Sequence, residues 1–123
     1  MSDRLERTID LLAELVAFPT VSGEPNGAII GYIKTYLESH GIQVLLDVTN
    51  DGKQMNLFAT IGPPVDGGII LSGHTDVVPA SPEGWQSDPF TLRRDQGRLY
   101  GRGAVDMKGF VAIALAAVPD FVA

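Results

Sequence analysis

The sequence predicts an α/β fold of the three-layer α/β/α type, with a mixed sheet between helices. Three observations support this class. Apolar residues recur at helical spacing in two N-terminal segments, and Ile42, Val44, Leu46 and Val48 alternate with Gln43 and Asp47. An uninterrupted apolar run, Ile69 to Leu71, follows a pair of glycines, which is typical of a strand buried on both faces.

The first helix is predicted from Asp3 to Ala17. Asp3 and Glu6 have the spacing of a capping box, and Pro19 stops the helix shortly after its last apolar residue. The apolar positions that recur at helical spacing are Leu5, Ile9, Leu12 and Val16.

A second helix is predicted from about Gly27 to His40, with Gly41 as the residue after its C-cap. Its apolar face comprises Ile29, Ile33, Tyr36 and Leu37. His40 lies in the last turn, where an imidazole interacts favourably with the carbonyl end of a helix. We therefore interpret His40 as structural and not as a metal ligand.

The alternating strand from Ile42 is predicted to form a hairpin with a strand from about Met55 to Ile61, through the turn Asn50-Asp-Gly52. The buried Ile69 strand comes next. Two short strands, Thr91-Leu92 and Arg98 to Tyr100, are then predicted around a turn at Asp95-Gln-Gly97.

The last predicted element is a helix from Lys108 to Val118. It is apolar on nearly every face, which indicates a helix buried deep in the domain. Pro119 is expected to end or kink it. Trp85, in the preceding loop, is either a packing anchor or a platform for substrate, and packing is the more common use.

Composition restricts the function. At 123 residues the chain is about one small domain, and it contains no cysteine, so any metal must take nitrogen and oxygen ligands. A net charge of −6 argues against nucleic acid or an anionic membrane as partner. Neither a membrane span nor a signal peptide is predicted, so we expect a cytoplasmic protein.

The first candidate site follows the apolar run. His74 and Asp76 are two residues apart, so on a strand their side chains project to the same side. A metal-ligating histidine usually donates its other ring N–H to a carboxylate or carbonyl, which this pair supplies. The alternative for so short a pattern is a strand-end histidine that a neighbouring carboxylate satisfies.

A glycine-rich loop from Gly101 to Asp106 precedes the last helix. Its sixth position is Asp, and no Gly-Lys-Ser/Thr ending follows, so it fits neither a dinucleotide fingerprint nor a phosphate loop. A carboxylate at this place suits a cation. Taken alone, Asp106 is an ordinary helix cap; taken with His74, it is a second candidate ligand.

Several motifs occur in one order: His74-Thr-Asp-Val-Val-Pro79, Trp85, Asp88-Pro-Phe90 and Gly97-Arg-Leu-Tyr-Gly-Arg-Gly-Ala-Val-Asp-Met-Lys-Gly-Phe110. This series resembles the N-terminal part of the acetylornithine deacetylase, succinyl-diaminopimelate desuccinylase and carboxypeptidase G family of co-catalytic zinc hydrolases. The match is strong over about residues 69 to 118. The resemblance implies a zinc-exopeptidase-like catalytic domain, of which residues 1–123 are the N-terminal part.

The resemblance also implies roles for single residues. The residue at His74 ligates one zinc ion, the catalytic residue at Asp76 orients that histidine, and the residue at Asp106 bridges two zinc ions. Cobalt can replace zinc. Family members often have a cis peptide after the bridging aspartate, which here is the Asp106-Met107 bond.

One part of the family pattern is missing from this sequence. The family takes its general base and a further metal ligand from a consecutive Glu-Glu pair, followed by another Asp and a distant His, and no Glu-Glu pair occurs here. We therefore interpret the chain as a fragment that lacks the rest of the catalytic domain and the lid domain. Through that lid the full-length parent is expected to form a homodimer.

The motifs look most like those of acetylornithine deacetylases, which release acetate from N-acetylornithine in arginine biosynthesis. Desuccinylases and other metal-dependent aminoacylases or carboxypeptidases are the alternatives, all with small N-acyl amino acids as substrates. An alternative of another class is a binding or scaffold domain that kept the fold and lost the chemistry.

Overall fold

The computed structural model describes residues 2–123 and contains three helices and four short strands. In chain order they are α1 (Asp3–Ala17), α2 (Gly27–Ser39), β1 (Val44–Val48), β2 (Met55–Ala59), β3 (Arg93–Asp95), β4 (Arg98–Tyr100) and α3 (Lys108–Val122). The predicted α/β class is confirmed.

Helix α1 has the predicted bounds but a different cap. Ser2 is the N-cap, and its hydroxyl accepts a hydrogen bond from the Leu5 backbone N–H at 3.2 Å. The capping box assigned to Asp3 is therefore wrong by one residue, since serine one position earlier satisfies the same free backbone donors. Asp3 and Glu6 lie in the first turn, where negative charge is favourable.

Helix α2 ends as the sequence predicts. Gly41 has a φ of +78°, and its N–H donates to the Glu38 carbonyl at 2.9 Å while Ile42 N–H donates to the Leu37 carbonyl at 3.2 Å. This is a Schellman ending, in which glycine adopts the left-handed conformation without a Cβ penalty. It turns the chain directly into the hairpin.

Strands β1 and β2 pair antiparallel, with Val44 opposite Ala59 and Val48 opposite Met55, as the predicted hairpin requires. The Asn26 side chain joins the hairpin to the start of α2. Its amide donates to the Met55 carbonyl at 3.0 Å, and its oxygen accepts from the Met55 N–H at 2.8 Å.

The hydrophobic core lies among the three helices, with α1 packed directly on α3. Its completely buried apolar residues are Leu15, Val16, Ile29, Ala112 and Ala116. The small side chains on α3 allow α1 to approach closely.

Helix α3 departs from its prediction in two respects. It is buried on one side only, because Phe110 is 39% and Ile113 60% exposed. It also continues past Pro119 to Val122. A proline leaves the carbonyl four residues earlier without its helical donor, and the Tyr36 hydroxyl supplies that donor by bonding to the Leu115 carbonyl at 2.8 Å.

The second hairpin is formed by β3 and β4, with Arg93 opposite Tyr100. The prediction for Arg98 to Tyr100 is confirmed. The prediction of a strand at Thr91-Leu92 is wrong, since the pairing starts at Arg93 and Leu92 packs against the core instead.

The predicted buried strand at Ile69 is also wrong. Residues 69–76 have no regular secondary structure, and Ile69, Ile70 and Leu71 are 89%, 80% and 54% exposed. Within residues 2–123, both sheets are two-stranded and antiparallel, and parallel pairing is limited to an isolated bridge between Val21 and Val77. The apolar run therefore has no sheet neighbour that would bury it. No helix in the described part of the chain has the length and apolar character needed to cross a bilayer.

Candidate metal centre

A pocket lies where the segment after the apolar run meets the glycine-rich loop. His74 and Asp76 line it from one side and Gly101, Arg102 and Gly103 from the other, with Val77, Val78, Val105, Asp106 and Ser22 completing the wall. The three candidate site residues His74, Asp76 and Asp106 all lie here, whereas His40 does not. His40 is the C-cap residue of α2, and its ring packs edge-on against Tyr36 at 4.9 Å.

His74 connects the two carboxylates. Its Nδ1 lies 3.0 Å from the Asp76 backbone oxygen and 3.1 Å from Asp76 Oδ1. Its Nε2 lies 3.1 Å from Oδ1 of Asp106, 32 residues away in the chain. The structure thus brings together all three residues, although the strand expected to orient His74 and Asp76 is absent.

Asp76 is held by a residue from the loop after α1. Its Oδ2 accepts a hydrogen bond from the Ser22 hydroxyl at 2.5 Å. This bond is the largest of the effects that lower the pKa of Asp76 below its ordinary value of 3.8; partial burial opposes it, and the nearby His74 adds a smaller lowering. Asp76 is therefore a carboxylate at neutral pH, able to accept from the imidazole.

Asp106 reaches the pocket because the glycine-rich loop passes very close to Val77. Gly103 has a φ of +85°, and a Cβ at this position would lie 2.6 Å from Val77 Cγ1. The loop then enters α3 through a hydrogen bond from Lys108 N–H to the Gly103 carbonyl at 2.7 Å. The Asp106-Met107 peptide bond is cis, as the resemblance implied.

The contacts of His74 indicate how its protons are placed. Nδ1 faces two oxygens that only accept hydrogen bonds and Nε2 faces one, which favours the neutral tautomer with its proton on Nδ1. In a neutral ring Nε2 then presents a lone pair to the Asp106 carboxylate, another electron-pair donor. Such a pair is stable when the ring takes a second proton or when a cation lies between the two atoms.

The donor atoms fit a zinc-type ion in part. Imidazole nitrogen and carboxylate oxygen are common zinc ligands, and two ligands of a tetrahedral zinc lie about 3.4 Å apart. The Nε2 to Oδ1 distance of 3.1 Å is close to this. However, no group of three or more such side chains in residues 2–123 is arranged to hold a metal. His74 and Asp106 are thus two ligands of an incomplete set, and both are accessible, with side chains 48% and 86% exposed.

Three supporting residues were not identified from the sequence. Thr20 and Ser22 bond to residues 75 to 77, and Lys108 is completely buried with its ammonium 2.7 Å from the Phe18 carbonyl. The loop that contains Thr20 and Ser22 has the composition of an ordinary turn. Lys108 lies in the motif whose Asp106 was the candidate ligand. A pair of hydroxyl residues two positions apart after Pro19 was the one available signal.

Trp85 is half-buried with the Arg102 guanidinium 5.4 Å from its ring centre, which supports the packing interpretation.

Comparison with known proteins finds a family model and curated relatives that are similar to this chain. Residues 70–123 match the family model of peptidase family M20/M25/M40. The chain is 37% identical over 127 residues to the acetylornithine deacetylase of Proteus mirabilis, an alignment that covers 98% of this chain and 33% of that protein. It is 43% identical to the succinyl-diaminopimelate desuccinylase of Stenotrophomonas maltophilia, covering 97% of the chain and 31% of that protein.

Among solved structures, human carnosine dipeptidase 1 matches with a TM-score of 0.78 and 28% identity, over 95% of this chain and 28% of that one. The chain spans about one third of the length of the curated relatives it matches. These matches confirm the resemblance that the ordered motifs indicated.

Proposed function

Since residues 70–123 match the model of peptidase family M20/M25/M40, we propose that this chain is the N-terminal part of the catalytic domain of a metal-dependent amide hydrolase. The observation that carries the proposal is the approach of His74 Nε2 to Asp106 Oδ1, at 3.1 Å across 32 residues of chain. Two electron-pair donors in this arrangement suit a shared cation.

In this proposal His74 and Asp106 are the metal ligands. Asp76 is the catalytic residue that orients His74, by keeping the proton on Nδ1 and the Nε2 lone pair directed at the pocket. When bound, zinc or cobalt would polarise an amide carbonyl and lower the pKa of a bound water.

The proposed substrate is N-acetylornithine, from which acetate is released. Support comes from the motifs and from the name of the Proteus mirabilis relative. A desuccinylase reaction is the runner-up, supported by the Stenotrophomonas maltophilia relative. Both reactions cleave a linear amide on a small amino acid, so both make the same demands on His74, Asp76 and Asp106.

The isolated chain is proposed to bind metal weakly and to hydrolyse nothing measurable. A catalytic zinc normally has three protein ligands and an open position, whereas His74 and Asp106 supply two. Adding zinc or cobalt to the purified chain with N-acetylornithine should release no acetate. Metal-dependent turnover by a contaminant-free sample would contradict this point.

A chimera tests the proposed activity. Residues 1–123 would replace the aligned third of the Proteus mirabilis deacetylase, and acetate release from N-acetylornithine would be measured. We expect turnover in the chimera, loss of turnover in its His74→Ala form, and little change in a matched His40→Ala form. A folded chimera without turnover, or one unaffected by His74→Ala, would reject the proposal and favour a binding or scaffold domain.

A second chimera separates the two substrates. It would join residues 1–123 to the remainder of the Stenotrophomonas maltophilia desuccinylase, which aligns over 31% of its length. Each chimera's activity would be expressed relative to its own parent enzyme. Higher relative activity in the deacetylase chimera supports N-acetylornithine; the reverse order supports the desuccinylase reaction.

A further inference from the structure

The Asp76 carboxylate has a separate partner for each of its oxygens. Oδ1 lies 3.1 Å from His74 Nδ1, and Oδ2 accepts from the Ser22 hydroxyl at 2.5 Å. The Asp76 side chain is 55% exposed, so packing alone does not fix its rotamer. The Ser22 contact therefore adds to the His74 contact in opposing rotation of this carboxylate into solvent.

Ser22 is itself held in place by backbone pairing. Its N–H donates to the Val77 carbonyl at 2.9 Å, and Val77 N–H donates to the Thr20 carbonyl at 2.9 Å. The Thr20 hydroxyl adds a 2.6 Å bond to the Thr75 carbonyl. Residues 20 to 22 thus run beside residues 75 to 77, and these bonds keep the Ser22 backbone at a position from which its hydroxyl reaches Asp76.

The same loop is bound to the other side of the pocket. The buried Lys108 ammonium donates to the Phe18 carbonyl at 2.7 Å, and Lys108 lies two residues after Asp106. We call residues 18–22 the bracket segment, since it contacts both the His74 side and the Asp106 side of the site. Its contacts fix the spacing of two chain regions that are distant in sequence.

We propose that Ser22 is a positioning residue of this site: its hydroxyl holds Asp76 against His74, so that Nε2 stays directed at Asp106. This inference rests on the proposed function and deepens it. Ser22 touches neither proposed metal ligand directly and acts through Asp76. Its role differs from that of an ordinary loop serine, whose hydroxyl would affect loop stability and leave the His74 ring unchanged.

The metal-free chain offers a direct readout. Two-bond proton–nitrogen NMR at alkaline pH, where imidazoles are neutral, reports which ring nitrogen of His74 carries the proton. We expect mainly Nδ1–H in the wild type, because Nδ1 faces two acceptors. Ser22→Ala should lower the Nδ1–H share, because Asp76 becomes free to turn into solvent.

Cobalt binding by calorimetry gives a second readout. Loss of partners outside the ligand set typically weakens metal affinity by about 10- to 100-fold, and we expect about tenfold for Ser22→Ala. Ser22→Thr and Ser22→Val form a matched pair that differs chiefly in the hydroxyl. Threonine should keep both the tautomer and the affinity near wild type, and valine should behave like alanine.

Ser81→Ala is the control, since within residues 2–123 the Ser81 hydroxyl accepts a hydrogen bond from the Glu83 N–H in its own loop. It should leave both readouts unchanged. The inference is overturned if Ser22→Ala and Ser22→Val keep the wild-type tautomer, whatever they do to stability. A failure of the proposed function is distinguishable, because the wild type would then bind cobalt no better than His74→Ala while the tautomer readout remains valid.

Discussion

The helical core and the rim of the candidate metal centre, residues 69–78 and 101–106, are built in different ways. In the core, α1 and α3 bury Leu15 and Ala116 completely, and both helices were predicted from local sequence features. At the rim, Ile70 is 80% and Val105 93% exposed, and the backbone follows no regular element. The rim is held by specific hydrogen bonds instead, above all those of the bracket segment.

This contrast shows that an apolar run in the sequence is a weaker guide to structure than a polar motif. The run at Ile69 predicts burial only if another element covers it, and none does within residues 2–123. The polar residues His74 and Asp106 meet regardless, because the bracket segment and the close approach at Gly103 bring their backbones together. The site geometry therefore does not depend on the missing strand.

The largest contrast between the two regions should appear in stability. Leu15→Ala leaves a cavity at a completely buried position and should lower the free energy of unfolding by about 2–5 kcal/mol. Ile70→Ala removes an 80% exposed side chain and should change it by less than about 0.5 kcal/mol. Urea denaturation followed by circular dichroism measures both. Equal losses would mean that Ile70 is buried in solution.

Lys108 links the two regions and should make stability depend on pH. Burial lowers its pKa from 10.5 to about 8. Below pH 8 the lysine is charged in both states; between pH 8 and 10.5 the unfolded chain holds a proton that the folded chain has released. Stability should therefore rise with pH across this window, by at most about 3 kcal/mol.

The matched variant for this effect is Lys108→Met, which is one atom shorter, stays unbranched and removes the titration. Urea denaturation across the same pH range would be compared for the two proteins. The wild type should gain stability relative to Lys108→Met as pH increases. Parallel curves would contradict the depressed pKa.

A third test concerns the close approach that brings the glycine-rich loop to the site. Gly103→Ala and Gly67→Ala both place a side chain at positive φ, but only at Gly103 would the new Cβ clash, 2.6 Å from Val77. Gly103→Ala should therefore cost about 1–3 kcal/mol more in unfolding free energy than Gly67→Ala. Thermal and urea denaturation measure the difference. Equal costs would mean that the loop can move off Val77 freely.

The sequence was sufficient to predict most of the helical architecture, because periodicity, turn residues and capping residues act over a few neighbouring positions. It located α1, α2, the Gly41 ending and the first hairpin to within a few residues. It did not reveal that Tyr36 compensates for Pro119, or that Ser22 reaches Asp76, because both contacts join segments distant in the chain. The prediction of the Ile69 strand was wrong because burial belongs to the surroundings of a segment and not to its composition.

For the site, the sequence motifs identified residues that are close together in the structure. His74, Asp76 and Asp106 were selected from residue type and order, and the structure places them within hydrogen-bonding distance. The physical reason for their proximity differs from the predicted one, since no strand orients His74 and Asp76. The bracket segment orients them instead. It has the composition of an ordinary loop and could be recognised only from its contacts.

The central claim is that His74 and Asp106 share a cation, and metal titration of the purified chain tests it most directly. Calorimetry with zinc or cobalt would compare the wild type with His74→Ala, Asp106→Asn and the control His40→Ala. We predict weak binding that falls about tenfold or more in the first two variants and is kept in His40→Ala. Binding that survives His74→Ala, or that is lost in His40→Ala, would contradict the account.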